Sequence, residues 1–181
     1  MKYYSHPGRL LIEHLEEAMD IGIKKIPYQL RDTYKITSLA HDFGKYTTYF
    51  QEYLFTKKEN QLANHGFISA IWGAYIAIKE IGEDSYLPLI VYNSILHHHG
   101  NIQSLSRNLP DTFKDLKDTD YDITILKKID IFKEQLKDMV TNKDNILKDM
   151  KTLGYEEHFM EFIGDENLIY ETLAELKKIE F

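Results

Sequence analysis

A chain of 181 residues with 43% hydrophobic and 28% charged side chains suits one domain with an apolar core, and excludes a disordered or membrane-embedded composition. Its net charge of -7 excludes a histone-like or basic-arm nucleic-acid binder, which would hold phosphates by bulk positive charge. The absence of Cys excludes a disulfide scaffold, a thiolate zinc site, an iron–sulfur cluster and a Cys nucleophile, so any metal must be held by nitrogen and oxygen.

We expect one domain over residues 1–181, built of helices, because apolar positions recur at three- and four-residue intervals and strict alternation is hard to find. Leu10, Leu11, Leu15 and Ala18 mark a first helix ending near Gly22, a second runs from about Tyr28 towards Gly44, and the aromatic-rich stretch Tyr46 to Phe55 reads as a short buried one. Asn64 is positioned to cap a long helix through Phe67, Ile71, Trp72 and Ile76, with Gly82 as its stop. The apolar run from Leu87 to Tyr92 fits a strand or a helix; its continuation through Ile95 and Leu96 towards Gly100 favours helix. Residues 100–120 read as loop-rich. Ile125 or Leu126, Ile129, Phe132, Leu136 and Val140 make one amphipathic helix, Asn142 to Asn145 interrupt the pattern, and Leu168 to Ile179 closes the chain. No segment has the length and hydropathy of an anchor, since the most apolar run, Ile71 to Ile78, ends at Lys79; the expectation is a cytoplasmic protein with no membrane contact.

Charge and histidine divide the chain unevenly. Residues 1–109 carry 11 basic and 11 acidic side chains, whereas 110–181 carry 11 and 18, and seven of the eight His lie at or before position 99. Chemistry therefore belongs to the neutral first part, and the acidic segment from 110 onward reads as a solvated helical layer.

The most specific feature is His41-Asp42-Phe43-Gly44-Lys45 at the end of a helical pattern. Adjacent helical residues point about 100° apart, so His41 and Asp42 share a metal only where other helices supply further ligands. Those partners exist in the sequence. His14 falls on the apolar stripe of the first helix, and His65 shares a stripe with Ile68, Ser69, Trp72 and Ile76. In a continued helix His98 and His99 extend the faces of Val91 and Ile95, and of Tyr92 and Leu96, whereas His97 follows Asn93 and Ser94. One His on an apolar face is ordinarily a satisfied core residue; several in one chain argue against that reading. His14, His41, Asp42, His65, His98 and His99 thus form six potential ligands, enough for two metals bridged by Asp42. The excess of imidazole favours manganese, iron, cobalt or nickel over a site built for magnesium alone. Lys45, on the side of both His41 and Asp42, is placed to contact a phosphate oxygen as a catalytic residue beside Asp42.

Leu11-Ile12-Glu13-His14, His41-Asp42 with Gly44-Lys45, Asn64-His65 followed by Ser69, and His98-His99-Gly100 together resemble the HD superfamily of metal-dependent phosphohydrolases, over about residues 3–100. Within that superfamily they look most like the stand-alone CRISPR-associated HD nuclease. The resemblance implies an HD-type helical bundle with the metal site between helices, in which His14, His41 and Asp42 hold one ion and Asp42, His65, His98 and His99 the second. It implies hydrolysis of phosphodiester bonds in single-stranded DNA or RNA by metal-activated water. It also implies two divalent ions (Mn, Mg, Ni, Co or Fe), and, as partners, a separate CRISPR helicase subunit and a guide-RNA surveillance complex. No P-loop motif occurs in this chain, in keeping with an ATPase on another polypeptide. A later Asp of the family has no counterpart in context: Asp111, Asp115, Asp118, Asp120, Asp122 and Asp165 carry no distinguishing mark. The rival readings are an HD phosphohydrolase of nucleotides or cyclic dinucleotides and, from another class, a non-catalytic or incomplete HD binding module. His6 reads as structural or substrate-facing, and His158, among Glu156, Glu157 and Glu161, as a solvated side chain. Lys57, Lys58 and Arg107 read as surface cations, with guidance of a strand as the alternative.

Overall fold

A computed structural model describes residues 2–83, 85–101, 109 and 123–179. The expected all-α bundle is present, with one small exception at the start. Tyr4–His6 (β1) and Arg9–Leu10 (β2) pair antiparallel across a turn in which Gly8 takes φ +84°, a left-handed conformation that a side chain would strain. Strands this short leave no alternation to detect, although Tyr3 and Ser5 are buried and Tyr4 and His6 are not.

The hairpin leads directly into α1 (Leu11–Ile23), whose Leu11 and Leu15 are wholly buried. The second expected helix is broken into three pieces. A 3-10 turn at Tyr28–Leu30 precedes α2 (Arg31–Ala40), and a second, Phe43–Tyr46, follows after His41 and Asp42 have left the helix. α3 (Thr48–Thr56) begins where the Thr47 hydroxyl accepts from the Phe50 N–H, an N-cap that the aromatic pattern conceals. After a 3-10 turn at Gln61–Ala63, α4 (Gly66–Ile81) runs through the centre, with every residue from Phe67 to Ala77 buried. Its N-cap is His65 rather than Asn64; Asn64 instead turns its side-chain oxygen to the Gly66 N–H. Gly82 ends it, as expected.

The ambiguous apolar run is helical. α5 (Leu87–Leu96) lies against α4, so closely that a Cβ on Gly73 would collide with Ile95. It stops at Leu96, so His97, His98 and His99 sit in a turn and not on a continued helix. Most of the loop-rich stretch, with Arg107 and Asp111 to Asp122, lies outside the described residues. α6 (Ile123–Thr141) is interrupted at Asn142, and α7 (Lys143–Leu153) and α8 (Glu156–Gly164) precede the expected closing helix α9 (Leu168–Ile179).

The acidic second part is not a solvated layer. Phe132, Phe159, Phe162, Ile169 and Leu173 are buried in the same core as α4. Charged residues cover its outer faces while one apolar stripe per helix faces inward, a pattern that net charge alone does not reveal. Phe43 stacks on Trp72 at 4.6 Å between ring centroids and meets the edges of Phe159 and Phe162. The turn carrying Asp42 is thereby pinned from beneath. Among the described residues no helix is long and apolar enough to cross a membrane.

Candidate metal centre

Four separate pieces of backbone deliver the sequence-predicted ligands to one place. His14 comes from α1, His41 and Asp42 from the end of α2, His65 from the start of α4, and His98 and His99 from the turn after α5. Gly44 permits the meeting of the second and third. A Cβ there would lie 2.5 Å from Ile68 Cγ2 and 2.8 Å from His65 Cα, so only glycine lets the Asp42 turn seat against the head of α4. The Ser69 hydroxyl accepts from the Gly44 N–H at 2.8 Å and holds that seat.

Asp42 is almost wholly buried at the focus, and its two oxygens face different histidines. Oδ2 lies 3.1 Å from His14 Nε2 and 3.5 Å from His41 Nε2. Oδ1 lies 3.2 Å from His65 Nε2 and 3.5 Å from His98 Nε2. His14 and His41 approach through their Nε2 atoms at 3.2 Å, and His65 and His99 at 3.0 Å. Two donor sets result, His14, His41 and Asp42 in one and Asp42, His65, His98 and His99 in the other, with all donor atoms of each set within 4.8 Å of one another. Each set is capable of coordinating a divalent ion.

The chemistry of the donors fits that role. His41 Nδ1 donates to the Ser38 carbonyl at 2.7 Å and His98 Nδ1 to the Ile95 carbonyl at 2.6 Å, so in each neutral ring the Nε2 lone pair points at the cluster. Asp42 Oδ1 and His98 Nε2 are buried and make no hydrogen bond within the protein. Orphaned acceptors are costly unless something electrophilic joins them. Neighbouring ligands of one ion, each about 2.1 Å from it, stand about 3 Å apart, which is the spacing of the paired imidazole nitrogens.

Electrostatics keep the donors in their metal-binding forms. Burial alone would raise the Asp42 pKa, but the adjacent His65 and His98, and then His41 and Lys45, outweigh it and hold the carboxyl well below the usual range. Burial is the leading cause that lowers His14, His41, His65 and His99, the last to about 4 with help from His98 and His65. Lys45 is itself buried, with its ammonium 2.7 Å from Asp42 Oδ2 and 5.2 Å from the Phe50 ring centroid.

His98 and His99 join the cluster although the continued helix that singled them out is absent. The turn brings both rings to the donor set, 3.8 Å apart at their centroids, while His97 lines a separate pocket with Phe67, Lys128 and Ile131. His6 stands at the rim with its ring 5.6 Å from that of His14 and belongs to neither donor set. His158 is not merely solvated: it packs edge-on against Tyr75 and Tyr155, and its Nε2 is buried 3.8 Å from Glu80. Of the acidic candidates after residue 100, Asp165 is the one within the described residues, and it lies in an exposed turn outside both sets.

Several supporting residues escaped the sequence reading. Gln135 Nε2 donates to the Leu62 and Asn64 carbonyls, both at 2.8 Å, and so fixes the loop that presents His65. Gln51 donates to the Lys45 and Tyr4 carbonyls and accepts from the Tyr4 N–H, tying the hairpin to the Asp42 turn. Asp138 accepts from the backbone and hydroxyl of Thr48, and Asp149 from the Tyr46 hydroxyl. Their signal in the sequence is weak, because a buried Gln or a capping Asp looks like any polar residue of an amphipathic helix.

Compared with known families, residues 3–135 match the model described as HD domain. No curated protein and no solved structure gives a match.

Proposed function

Because this chain belongs to the HD domain family and keeps an intact His/Asp donor set, it is a metal-dependent hydrolase, and we propose that it cleaves phosphodiester bonds of single-stranded nucleic acid. His14, His41 and Asp42 would hold one divalent ion and Asp42, His65, His98 and His99 a second, with manganese, magnesium, nickel, cobalt or iron as the candidates. The observation that carries this reading is the division of Asp42, whose two oxygens serve two histidine sets, the second of which opens through His65 and His99 onto a surface groove.

Divalent ions held by these donors would supply the means to acidify a water and to neutralise charge on phosphoryl oxygens. The protein's own part is orientation and charge. His41 and His98 are locked by their backbone acceptors, so their nitrogens need no reorganisation. Lys45 adds a cation beside Asp42, where it offsets charge on non-bridging oxygens of the substrate. An acidic protein thus handles a polyanion by concentrating positive charge at one point.

The motif resemblance supports a place in type I CRISPR interference, in the cytoplasm, with a separate helicase subunit and a guide-RNA surveillance complex supplying the displaced strand. The second reading is a phosphohydrolase of nucleotides or cyclic dinucleotides, which needs the same donors. An assay with labelled single-stranded DNA and RNA across several divalent ions tests the proposal. Shortened oligonucleotides, abolished by chelation and by Asp42→Ala, are expected. Phosphate release from nucleotides with oligonucleotides untouched would overturn the nuclease reading in favour of the second.

A further inference from the structure

Beside the donor sets lies an open groove of about 750 Å³, lined by Phe50, Tyr53, Asn60, Asn64, His65 and His99 among others. It reaches the cluster directly, because His65 and His99 belong to both. Its volume is in the range of about 300–1,000 Å³ typical of small-molecule sites.

One wall is an aromatic ladder on α3. Phe50 sets its ring 5.2 Å from that of His65, and Tyr53, three residues on, follows 6.2 Å from Phe50. Phe50 is buried, whereas Tyr53 is 37% exposed. Lys57 comes next: its φ of 57° ends α3 and brings its ammonium to 5.5 Å from the Tyr53 centroid. The lining also offers amides. Asn60 Oδ1 accepts from the Leu62 N–H and Asn64 Oδ1 from the Gly66 N–H, so each carboxamide presents N–H groups as its remaining polar function. Glu59 adds an acceptor in the same groove.

An aromatic face, amide donors, a carboxylate acceptor and a flanking cation, all continuous with a phosphate-handling centre, match the parts of a nucleotide. We propose that this groove seats a nucleobase of the strand whose phosphate lies at the donor sets, with Tyr53 as the stacking platform and Lys57 beside the adjoining phosphate. The inference rests on the proposed phosphoester chemistry and adds the substrate's recognition element to it. The amides and Glu59 address the base edge, while stacking accepts any base.

Binding of a fluorescein-labelled single-stranded oligonucleotide, followed by anisotropy in Ca²⁺ with the strand checked intact afterwards, tests it. Tyr53→Ala is expected to weaken binding about tenfold, and Tyr53→Phe to restore it to within about twofold of the parent. A melting curve for each variant separates this from misfolding, and the partly exposed position of Tyr53 predicts unchanged midpoints. In competition, dAMP is expected to displace the oligonucleotide at lower concentration than inorganic phosphate, an advantage that Tyr53→Ala removes. Equal binding by Tyr53→Ala and the parent would overturn the base seat while leaving cleavage, and so the nuclease reading, intact. A parent that cleaves no oligonucleotide but still prefers dAMP through Tyr53 would overturn the nuclease reading and support the seat.

Discussion

The two halves of this chain divide chemistry from support. All six donors lie between His14 and His99, in the part where basic and acidic side chains balance. The described residues from 123 onward supply no donor, yet Phe159 and Phe162 back the Asp42 turn, Gln135 fixes the approach to His65, and Asp138 caps α3. The difference teaches that a ligand set assembled from four backbone segments depends on a scaffold remote in sequence. It also shows how acidic composition coexists with phosphate chemistry, since carboxylates such as Asp138 and Asp149 are engaged in hydrogen bonds away from the donor sets.

The sharpest way to break this division is to damage the scaffold without touching a donor. Phe162→Ala removes a wholly buried ring that meets Phe43, Trp72 and Phe132, and is expected to cost about 3–5 kcal/mol. Chemical denaturation checks this, and divalent metal should recover part of the loss, because an ion bound only by the folded state stabilises it. A variant as stable as the parent would mean that the second half does not support the first.

Gly44→Ala probes the joint itself. Its Cβ would press on the His65 backbone, an overpacking cost of about 1–3 kcal/mol. Because Asp42 and His65 then separate, isothermal titration is expected to show divalent-metal binding by Asp42, His65, His98 and His99 weakened more than any binding by His14, His41 and Asp42. Equal losses at both would place the strain elsewhere.

Gln135→Ala is gentler. Two part-buried carbonyls lose their donor, at a cost of about 0.5–1.5 kcal/mol. Metal affinity at the His65 set is expected to fall about tenfold, as for a residue acting behind the ligands. Unaltered titration would show that the loop holds without it.

The smallest effect is a pH dependence confined to the chelated protein. Folding lowers the pKa of His14, His41, His65 and His99 below the ordinary 6.5, with burial as the leading cause. Their contribution is complete above about pH 6.5 and is lost as pH falls towards the folded values, because the unfolded chain takes up protons that the folded one does not. Melting temperature without metal should therefore drop between pH 7 and pH 5, and a flat profile would contradict the neutral state of these rings.

Residue types and spacing alone determined the nitrogen and oxygen donor set, the helical class and the motif order from His14 to His99. These are local properties: an apolar stripe at helical period and a His on it are visible without coordinates. The helix ends were less legible, because Thr47 capping α3 and the stop at Leu96 depend on backbone hydrogen bonds that many sequences can make. A helical extrapolation singles out His98 and His99, and the turn that replaces it still brings both to the cluster, with His98 tied to the Ile95 carbonyl and His99 meeting His65 through their Nε2 atoms. Only the tertiary structure decided which Asp42 oxygen meets which histidine, that Gly44 is a contact point, and that the acidic helices are core. Those facts concern residues far apart in the chain, and their proximity comes from packing α4 against both halves, which no local pattern encodes.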